Sequence, residues 1–238
     1  MRYESAELAK IAINCCLVAS VTVANTLAGL SERVGANWHE IIPALKLDRR
    51  IGQHAYLAPG LGLAGGNLER DLATVLRLAG ETGSEVGLIE SFVKNSLHNR
   101  DWALRVLHRE VFARNPQATI AVLGIAYKEN TSSIKNSPAV ALMQNLRPWA
   151  LRVFDPVVPV SVVDHPRITG CTSALETLAG ADALVVMTPW PEFRALPIDK
   201  LSQALAGKIV IDPYRVLDGA ALRKAHIAYW TLGDATNG

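Results

Sequence analysis

Apolar residues recur at helical spacing through the first half of the chain. Leu8, Ile11, Cys15 and Val18 lie three or four positions apart and predict a long helix from near Ser5 to Val34. The same pattern predicts helices over 38–45, 68–79 and 85–112, and the glycine-rich stretch 52–66 predicts a loop. Because apolar residues lie on more than one face of the long helix, we expect it to be largely buried, in part against a partner subunit.

The pattern changes near Asn115 and Pro116. Short apolar runs at 119–124, 151–154, 183–187, 208–211 and 227–230 predict strands, with helices between them at 137–146 and 173–179. Such alternation predicts a doubly wound parallel sheet that is buried on both faces. The chain is therefore expected to be an α/β protein, with an all-helical dimerisation domain over 1–113 and a Rossmann-like domain over 114–238.

Composition and charge exclude several classes of protein. The 238 residues are 50% hydrophobic, which is enough for a substantial core and excludes a disordered chain. The formal net charge is +2, and acidic and basic residues are mixed along the sequence. Recognition of a phosphate backbone needs a concentrated basic face. Nucleic acid is therefore not an expected partner, and we assign no metal site.

The cysteines and the N-terminal segment bear on compartment. Cys15, Cys16 and Cys171 cannot all pair, which favours a reducing cytoplasm. The first residues lack the basic and apolar regions of a secretory signal. The stretch 11–30 is apolar but is interrupted by polar residues and a glycine, so we expect no membrane span. The interrupting residues are Asn14, Ser20, Thr22, Asn25, Thr26 and Gly29.

Candidate chemistry begins after the first predicted strand. Gly124 is followed by Ile125-Ala126-Tyr127-Lys128, so the fingerprint Gly-x-Gly-x-x-Gly of dinucleotide sites is absent. One glycine and a lysine at the carboxyl end of a parallel strand still suit a phosphate or a nucleotide. The alternative is an ordinary surface turn with a solvated lysine.

Two features of the helical half also allow two interpretations. Lys10 and Asn14 are four residues apart and share a helix face, where they can hold an oxygen that becomes negative during a reaction. They can equally be an exposed lysine and a buried, hydrogen-bonded asparagine. Gly60, Gly62 and Gly65 let backbone amides approach a ligand closely, or they serve turn geometry alone.

Several motifs occur in the order typical of one family. Ala6-Glu7-x-x-Lys10-x-x-x-Asn14, Arg50-Ile51-Gly52 and the segment 60–71 resemble three motifs of the UDP-glucose/GDP-mannose dehydrogenase family of nucleotide-sugar dehydrogenases. Leu123-Gly124-x-Ala126-x-Lys128 with Ser137-Pro138, then Phe154-Asp155-Pro156 and Thr188-x-Trp190, are similar to its later motifs. The resemblance runs from about Ser5 to the C-terminus.

This resemblance implies roles for particular residues. It implies that Lys10 and Asn14 stabilise an oxygen at sugar C6 and that Asp71 assists proton and water handling. It implies that Arg50 reaches the sugar nucleotide of a neighbouring subunit and that Lys128 lies near the substrate. The backbone of the glycine loop is expected to cradle the nucleotide together with Tyr56 and Leu57. The resemblance also implies a homodimer through the long helix and NAD as cofactor.

The sequence departs from the family pattern in three respects. Asn67 stands where the family has the cysteine that captures an aldehyde intermediate as a thiohemiacetal, and a carboxamide cannot act as that nucleophile. The acidic pair after Thr131 is replaced by Ser132 and Ser133, and Lys135 replaces an arginine, which alters the grip on phosphate or carboxylate. The family's N-terminal Rossmann domain for NAD is not part of the 238 residues. Three alternatives follow, namely a segment of a longer protein, one half of a split enzyme with a separate Rossmann chain as partner, and a degenerate paralogue.

Two functions follow as expectations. The first is the substrate-binding segment of an NAD-dependent nucleotide-sugar dehydrogenase that oxidises a sugar C6 alcohol, with conversion through to the acid impaired by Asn67. The alternative is a non-catalytic nucleotide-sugar-binding or assembly subunit.

Overall fold

The computed structural model describes residues 1–236, which form two compact units. The first contains residues 1–100 together with Gly233–Ala235, and the second contains residues 101–232 together with Thr236. The boundary predicted between 113 and 114 therefore lies inside the second unit, because the segment after Asp101 packs with the sheet unit. The ring of Phe112 stacks on that of Trp149 with centroids 4.0 Å apart.

Four helices make up most of the first unit. They are α1 Tyr3–Val34, α2 Trp38–Leu47, α3 Asn67–Thr82 and α4 Gly87–Arg100. The expected long helix is confirmed and ends at Gly35, whose φ of 80° is the left-handed conformation that commonly closes a helix. One cluster of buried side chains, Val18, Leu63, Leu72 and Phe92, joins three of these helices to the loop that precedes α3.

The long helix α1 is less buried than the sequence indicated. Within the chain, only one side of the helix is covered, and Leu8, Val23, Leu30 and Val34 are each more than half exposed. The expectation of a largely buried helix is therefore wrong for the single chain. Among residues 1–236, α1 is also the one helix whose length and apolar composition would allow it to cross a membrane. Core helices of proteins that never enter a membrane meet the same criterion, so this is weak evidence.

The helix predicted over 85–112 is interrupted. The structure has α4, then α5 Trp102–Leu107, and then a wide π-type turn over His108–Phe112. Helix α4 belongs to the first unit, whereas α5 belongs to the second. No glycine or proline occurs between 88 and 112, so the sequence carries no local signal for the break at Asp101.

The second unit contains a six-stranded parallel sheet. Its strands are β1 Thr119–Leu123, β2 Ala150–Phe154, β3 Ile168–Gly170, β4 Ala183–Val186, β5 Ile209–Ile211 and β6 Ala228–Trp230. The helices between them are α6 Pro138–Asn145, α7 Ala174–Leu178, α8 Ile198–Ala204 and α9 Gly219–Lys224. Strand β3 was not predicted because it is a three-residue edge strand without a fully buried side chain.

The strand order explains where ligands bind to such a sheet. The order is β3-β2-β1-β4-β5-β6, and every neighbouring pair is parallel, with Ile120 opposite both Leu151 and Ala183. The predicted doubly wound parallel sheet is thus confirmed. Chain order reverses between β1 and β4, and ligands of open α/β sheets bind at the carboxyl edge of such a switch point. The segments that leave this edge are the loops over 124–137 and 187–190.

Candidate functional site

A buried amide and carboxylate meet in the first unit. The Asn14 Nδ2 on α1 donates a hydrogen bond of 2.5 Å to Asp71 Oδ2 on α3. Asn14 is 8% exposed and Asp71 is 7% exposed. The other carboxylate oxygen of Asp71 accepts from the guanidinium of Arg70 at 3.3 Å. A carboxamide nitrogen carries two hydrogens, so Asn14 keeps a second donor for another oxygen atom.

Each partner of this pair has a second predicted site residue one helical turn away. Lys10 precedes Asn14 by four residues on α1, and Asn67 precedes Asp71 by four residues as the first residue of α3. Residues four apart on a helix share a face. Lys10 and Asn67 are both exposed, and neither makes a side-chain hydrogen bond or ion pair with a residue in the described range. The structure thus joins two of the four predicted catalytic residues directly and leaves the other two accessible.

The loop over 52–66 is held to the helices by side chains that the sequence did not single out. Asn25 on α1, 4% exposed, accepts a hydrogen bond of 2.8 Å from the Gly60 N–H. The hydroxyl of Ser96 on α4 accepts one of 2.8 Å from the Leu63 N–H. The Trp38 indole N–H donates 2.8 Å to the Leu57 carbonyl. All three bonds link distant parts of the sequence, so no local pattern indicates them.

Glycine is required at Gly62 by space as well as by backbone conformation. Its φ is 73°, and a Cβ there would lie 2.3 Å from the Ser96 carbonyl oxygen. Gly65 also has a positive φ, 82°, and is buried. Close packing of the loop onto α4 therefore depends on Gly62. Of the two residues predicted to lie beside the nucleotide at this loop, Tyr56 is exposed and Leu57 is buried.

Arg50 interacts with its own turn. Its guanidinium donates to both carboxylate oxygens of Asp48, at 2.6 and 3.0 Å, and its side chain is 89% exposed. This pairing lowers the pKa of Asp48 and raises that of Arg50. Among the described residues, the Arg50 guanidinium forms no hydrogen bond or ion pair with another predicted site residue, and its pair with Asp48 lies at the surface.

Cys15 follows Asn14 but is unsuited to act as a nucleophile. Burial raises the pKa of the Cys15 thiol, and the adjacent Cys16 and the Asp71 carboxylate raise it further. The thiolate is the reactive form of cysteine, so these neighbours suppress reactivity. Cys15 packs instead against the cluster that contains Val18 and Leu72. All three cysteines are free thiols.

In the second unit, the loop over 124–137 is pinned at several points and carries two exposed lysines. The Thr188 hydroxyl donates 2.6 Å to the Ala126 carbonyl, and the Ser137 hydroxyl donates 2.7 Å to the Ile125 carbonyl. Lys128 and Lys135 are exposed, and neither forms an ion pair within residues 1–236. The Lys128 ammonium lies 5.6 Å from the centre of the Tyr127 ring. Both cations are thus available at the carboxyl side of β1.

Asp155 binds this loop from the end of β2. Its Oδ2 accepts hydrogen bonds from the N–H groups of Ile125 at 2.6 Å and Ala126 at 3.1 Å, and its Oδ1 accepts two of 2.8 Å from Val157 and Val158. Burial alone would raise the pKa of Asp155, but these four donors outweigh it and hold the pKa below its ordinary value. The carboxylate is therefore an ionised, integral part of the turn.

The second unit does not fit the phosphates of NAD at its β1 turn. A dinucleotide turn offers free backbone N–H groups to the pyrophosphate, whereas those of Ile125 and Ala126 already donate to Asp155. The first glycine of the fingerprint is retained as Gly124, and the later ones are absent. Within residues 1–236, no group of three or more metal-ligating side chains is arranged to hold a metal ion.

Asp212, a fully buried aspartate of the second unit, has the opposite character to Asp155. It follows β5, is fully buried, and accepts hydrogen bonds from the Leu217 N–H at 2.8 Å and the Tyr229 hydroxyl at 3.1 Å. Burial outweighs these donors and raises the pKa of Asp212. Tyr229 loses acidity as well, because burial and the Asp212 carboxylate raise its pKa. Asp212 therefore organises the turn after β5.

A helical unit followed by a Rossmann-like doubly wound unit defines a two-domain α/β protein, and comparisons with known proteins identify its family. The central domain of the UDP-glucose/GDP-mannose dehydrogenase family matches residues 4–96, and the UDP binding domain of the same family matches residues 121–219. The chain belongs to this family. Family membership expected from the motifs is thereby confirmed.

Curated relatives carry consistent names. UDP-glucose 6-dehydrogenase of Rhizobium meliloti is 32% identical over 96% of this chain and 53% of the relative. UDP-glucose 6-dehydrogenase AglM of Haloferax volcanii is 35% identical over 89% of this chain and 49% of the relative, and TuaD of Bacillus subtilis is 29% identical over 97% and 50%. The chain spans about half the length of the curated relatives it matches.

Solved structures agree on the fold. A UDP-glucose dehydrogenase from Pyrobaculum islandicum aligns with a TM-score of 0.81 and 25% identity, over all of this chain and 52% of the other. The UDP-D-ManNAc dehydrogenase of Pyrococcus horikoshii aligns with a TM-score of 0.80 and 25% identity, over 98% and 52%. The chain thus has the fold of the corresponding parts of nucleotide-sugar dehydrogenases.

Proposed function

We propose that this chain is the substrate-binding portion of an NAD-dependent nucleotide-sugar dehydrogenase that acts on a sugar C6 alcohol. The observation that carries the proposal is the buried hydrogen bond between Asn14 and Asp71. This bond fixes the Asn14 amide, which lies one helical turn from the exposed Lys10 on α1. The glycine loop of the same unit is braced by Asn25 and Ser96. The names of the relatives supply the substrate class, UDP-glucose or a similar nucleotide sugar.

The roles proposed for the first unit follow from charge and hydrogen-bonding capacity. The Lys10 ammonium and the second N–H of Asn14 stabilise negative charge on the C6 oxygen. Asp71, whose carboxylate orients Asn14, assists proton and water handling. The loop backbone at Gly60, Gly62 and Gly65 receives the nucleotide.

Side chains outside this pair take the remaining contacts with the nucleotide sugar. Tyr56 and Leu57 flank the nucleotide beside the glycine loop. Arg50 reaches the nucleotide sugar of a neighbouring subunit, and Lys128 and Lys135 lie near the substrate. The exposure of Arg50, Lys128 and Lys135 supports these roles, because a cation at the surface can reach an anionic ligand without losing a buried partner.

Asn67 limits the chemistry that we propose. A carboxamide has no lone pair basic enough to attack an aldehyde, so covalent capture of the intermediate is lost and conversion of the aldehyde to the acid is impaired. We place NAD, the hydride acceptor, on a Rossmann domain outside the 238 residues, in the same longer protein or in a separate chain. The occupied β1 turn of the second unit supports that placement.

The alternative function is a non-catalytic nucleotide-sugar-binding or assembly subunit. The replacement of the nucleophile by Asn67 favours it, because binding needs the braced loop and the exposed cations but not a thiolate. The two functions differ in one observable. A dehydrogenase segment, supplied with its Rossmann domain and NAD, reduces NAD when UDP-glucose is added, whereas a binding subunit does not.

Dimerisation through α1 is part of the proposal. Leu8, Val23, Leu30 and Val34 expose large apolar side chains along this helix, and a symmetric contact would cover them. Val23→Glu should raise the dimer dissociation constant in sedimentation equilibrium. Val157→Glu, at a similarly exposed valine in the second unit, is the matched control. A monomeric unaltered protein at micromolar concentration would refute this part. We also propose a cytoplasmic location, which the three free thiols support.

Calorimetric titration tests the binding proposal. UDP-glucose, UDP-GlcNAc and GDP-mannose are titrated separately, each with and without NAD. We expect one nucleotide sugar to bind without NAD, and Lys10→Met to weaken that binding more than Lys94→Met, which removes an exposed lysine from α4. Failure of all three nucleotide sugars to bind the correctly folded protein would overturn the proposal.

A further inference from the structure

The turn after β1 is filled from within the chain. Asp155 lies directly after β2, and its Oδ2 accepts from the N–H groups of Ile125 and Ala126. The same oxygen accepts 3.1 Å from the indole N–H of Trp190, which follows β4. One carboxylate therefore joins the segments that leave three neighbouring strands, on both sides of the switch point.

Both halves of a dinucleotide site are represented at this edge. In such sheets the turn after the first strand offers backbone N–H groups to a pyrophosphate, and an acidic residue near the end of the second strand binds a ribose hydroxyl. Here the turn and the acid are present, but they bind each other. A phosphate could reach the N–H groups of Ile125 and Ala126 only by displacing Asp155, which would leave a half-buried carboxylate without its donors.

The turn also lacks room to rearrange toward β4. Gly124 has a φ of 98°, and a Cβ there would lie 2.4 Å from the Cβ of Thr188. The Thr188 hydroxyl donates to the Ala126 carbonyl on the other side of the turn. The backbone after β1 is thus held in one conformation, in which the N–H groups of Ile125 and Ala126 point toward Asp155.

We propose that Asp155 is an internal anion that takes the phosphate position of this fold. It closes the β1 turn to a dinucleotide and holds the loop that carries Lys128 and Lys135. Asp155 is accordingly a positioning residue, not a catalytic one. Closure of the turn stands on the geometry alone, whereas the role of the two lysines toward a nucleotide sugar rests on the proposed function.

Anion rescue tests the closure. Asp155→Ala deletes the carboxylate and leaves its donors directed at a space that a small anion can enter. Thermal unfolding is compared in sodium formate, sodium phosphate and sodium chloride at equal ionic strength. We expect Asp155→Ala to melt below the unaltered protein and to regain part of the loss in formate or phosphate. At ten times its dissociation constant, a bound anion shifts the unfolding equilibrium about tenfold.

Asp164→Ala is the matched control, because its side chain is 92% exposed in the same unit. Both this variant and the unaltered protein should gain less stability than Asp155→Ala when formate or phosphate replaces chloride, and the difference removes the general stabilising effect of phosphate. An Asp155→Ala protein that folds and gains nothing specific from either anion would overturn the proposal. So would an unaltered protein that gains as much as the variant.

A second measurement applies even if Asp155→Ala fails to fold. In the unaltered protein, amide hydrogen exchange at Ile125 and Ala126 should be slow and unchanged by phosphate or NAD. Exchange that is fast, or that phosphate or NAD slows strongly, would overturn the closure. Lys128→Ala tests the part that rests on function, since it should weaken UDP-glucose binding while leaving anion rescue of Asp155→Ala intact. Absence of binding of all three nucleotide sugars in the unaltered protein counts against the proposed function alone.

Discussion

Replacing Asn14 with alanine removes the amide that donates to Asp71 and leaves a buried carboxylate with one long contact to Arg70. A hydrogen bond to a charged group contributes about 1.5–3 kcal/mol to stability. The short distance of 2.5 Å and exposures of 8% and 7% place this bond toward the upper part of that range. We therefore expect Asn14→Ala to destabilise the first unit by about 2–3 kcal/mol, and Asp71→Ala by a similar amount.

A double-mutant cycle isolates the bond. Unfolding in urea is measured for Asn14→Ala, Asp71→Ala and the double variant, with an intrinsic probe in the first unit such as Trp38 fluorescence, because two units need not unfold together. The double variant should lose about 2 kcal/mol less than the sum of the single variants, since the bond is lost only once. Lys10→Ala on the same helix is the control and should change stability by less than about 0.5 kcal/mol. A coupling energy near zero would refute the reasoning.

Three further predictions concern single positions. Asn67→Cys should react with iodoacetamide faster than Cys16, because a helix N-terminus favours the thiolate. Gly124→Ala should lower the melting temperature sharply, whereas Gly180→Ala, also at positive φ but in open space, should lower it less. Asp155→Asn should lower the free energy of unfolding most near pH 7 and progressively less below about pH 4. The pKa of Asp155 is lowered in the folded protein, so its carboxylate stabilises the fold only while it is ionised.

Asp212 should show the opposite pH dependence to Asp155. The pKa of Asp212 is raised in the folded protein, so the contribution of its protonated side chain to stability is present at low pH. That contribution is lost as the pH rises through the pKa of the folded state. Relative to the unaltered protein, Asp212→Asn should therefore lower the free energy of unfolding most at acid pH and less as the pH rises. Chemical denaturation of both asparagine variants from pH 3 to pH 8 measures the two trends. Parallel pH dependence of the two variants would contradict these assignments.

The elements that the sequence predicted are those with a local pattern. The spacing of apolar residues gave the position of α1 to within a few residues at each end, and the buried runs of β1, β4 and β5 were found because no face of these strands meets water. Strand β3 escaped prediction because an edge strand of three residues has neither a buried run nor an alternation of any length.

The residues that brace the site were missed for a different reason. Asn25 binds Gly60 across 35 positions of sequence, and Ser96 binds Leu63 across 33. A polar residue in an apolar helix needs a hydrogen-bond partner when it is buried, but the neighbouring sequence does not indicate which residue that partner is. Asp155 lies in the motif Phe154-Asp155-Pro156, which gives no indication of its donors, and its five donors come from three segments that the fold alone brings together.

On the proposed function, Asn67 separates nucleotide-sugar binding from the capture of the aldehyde. The hydrogen bond between Asn14 and Asp71 does not involve the side chain at 67, and the bonds that brace the glycine loop come from Asn25, Ser96 and Trp38. On the proposed function, asparagine at 67 therefore replaces a nucleophile while these four hydrogen bonds remain in place. If a nucleotide sugar binds, Asn67→Cys should leave its dissociation constant nearly unchanged while altering what becomes of the aldehyde. Binding can thus be tested on this chain alone, and oxidation on the chain supplied with its Rossmann domain and NAD.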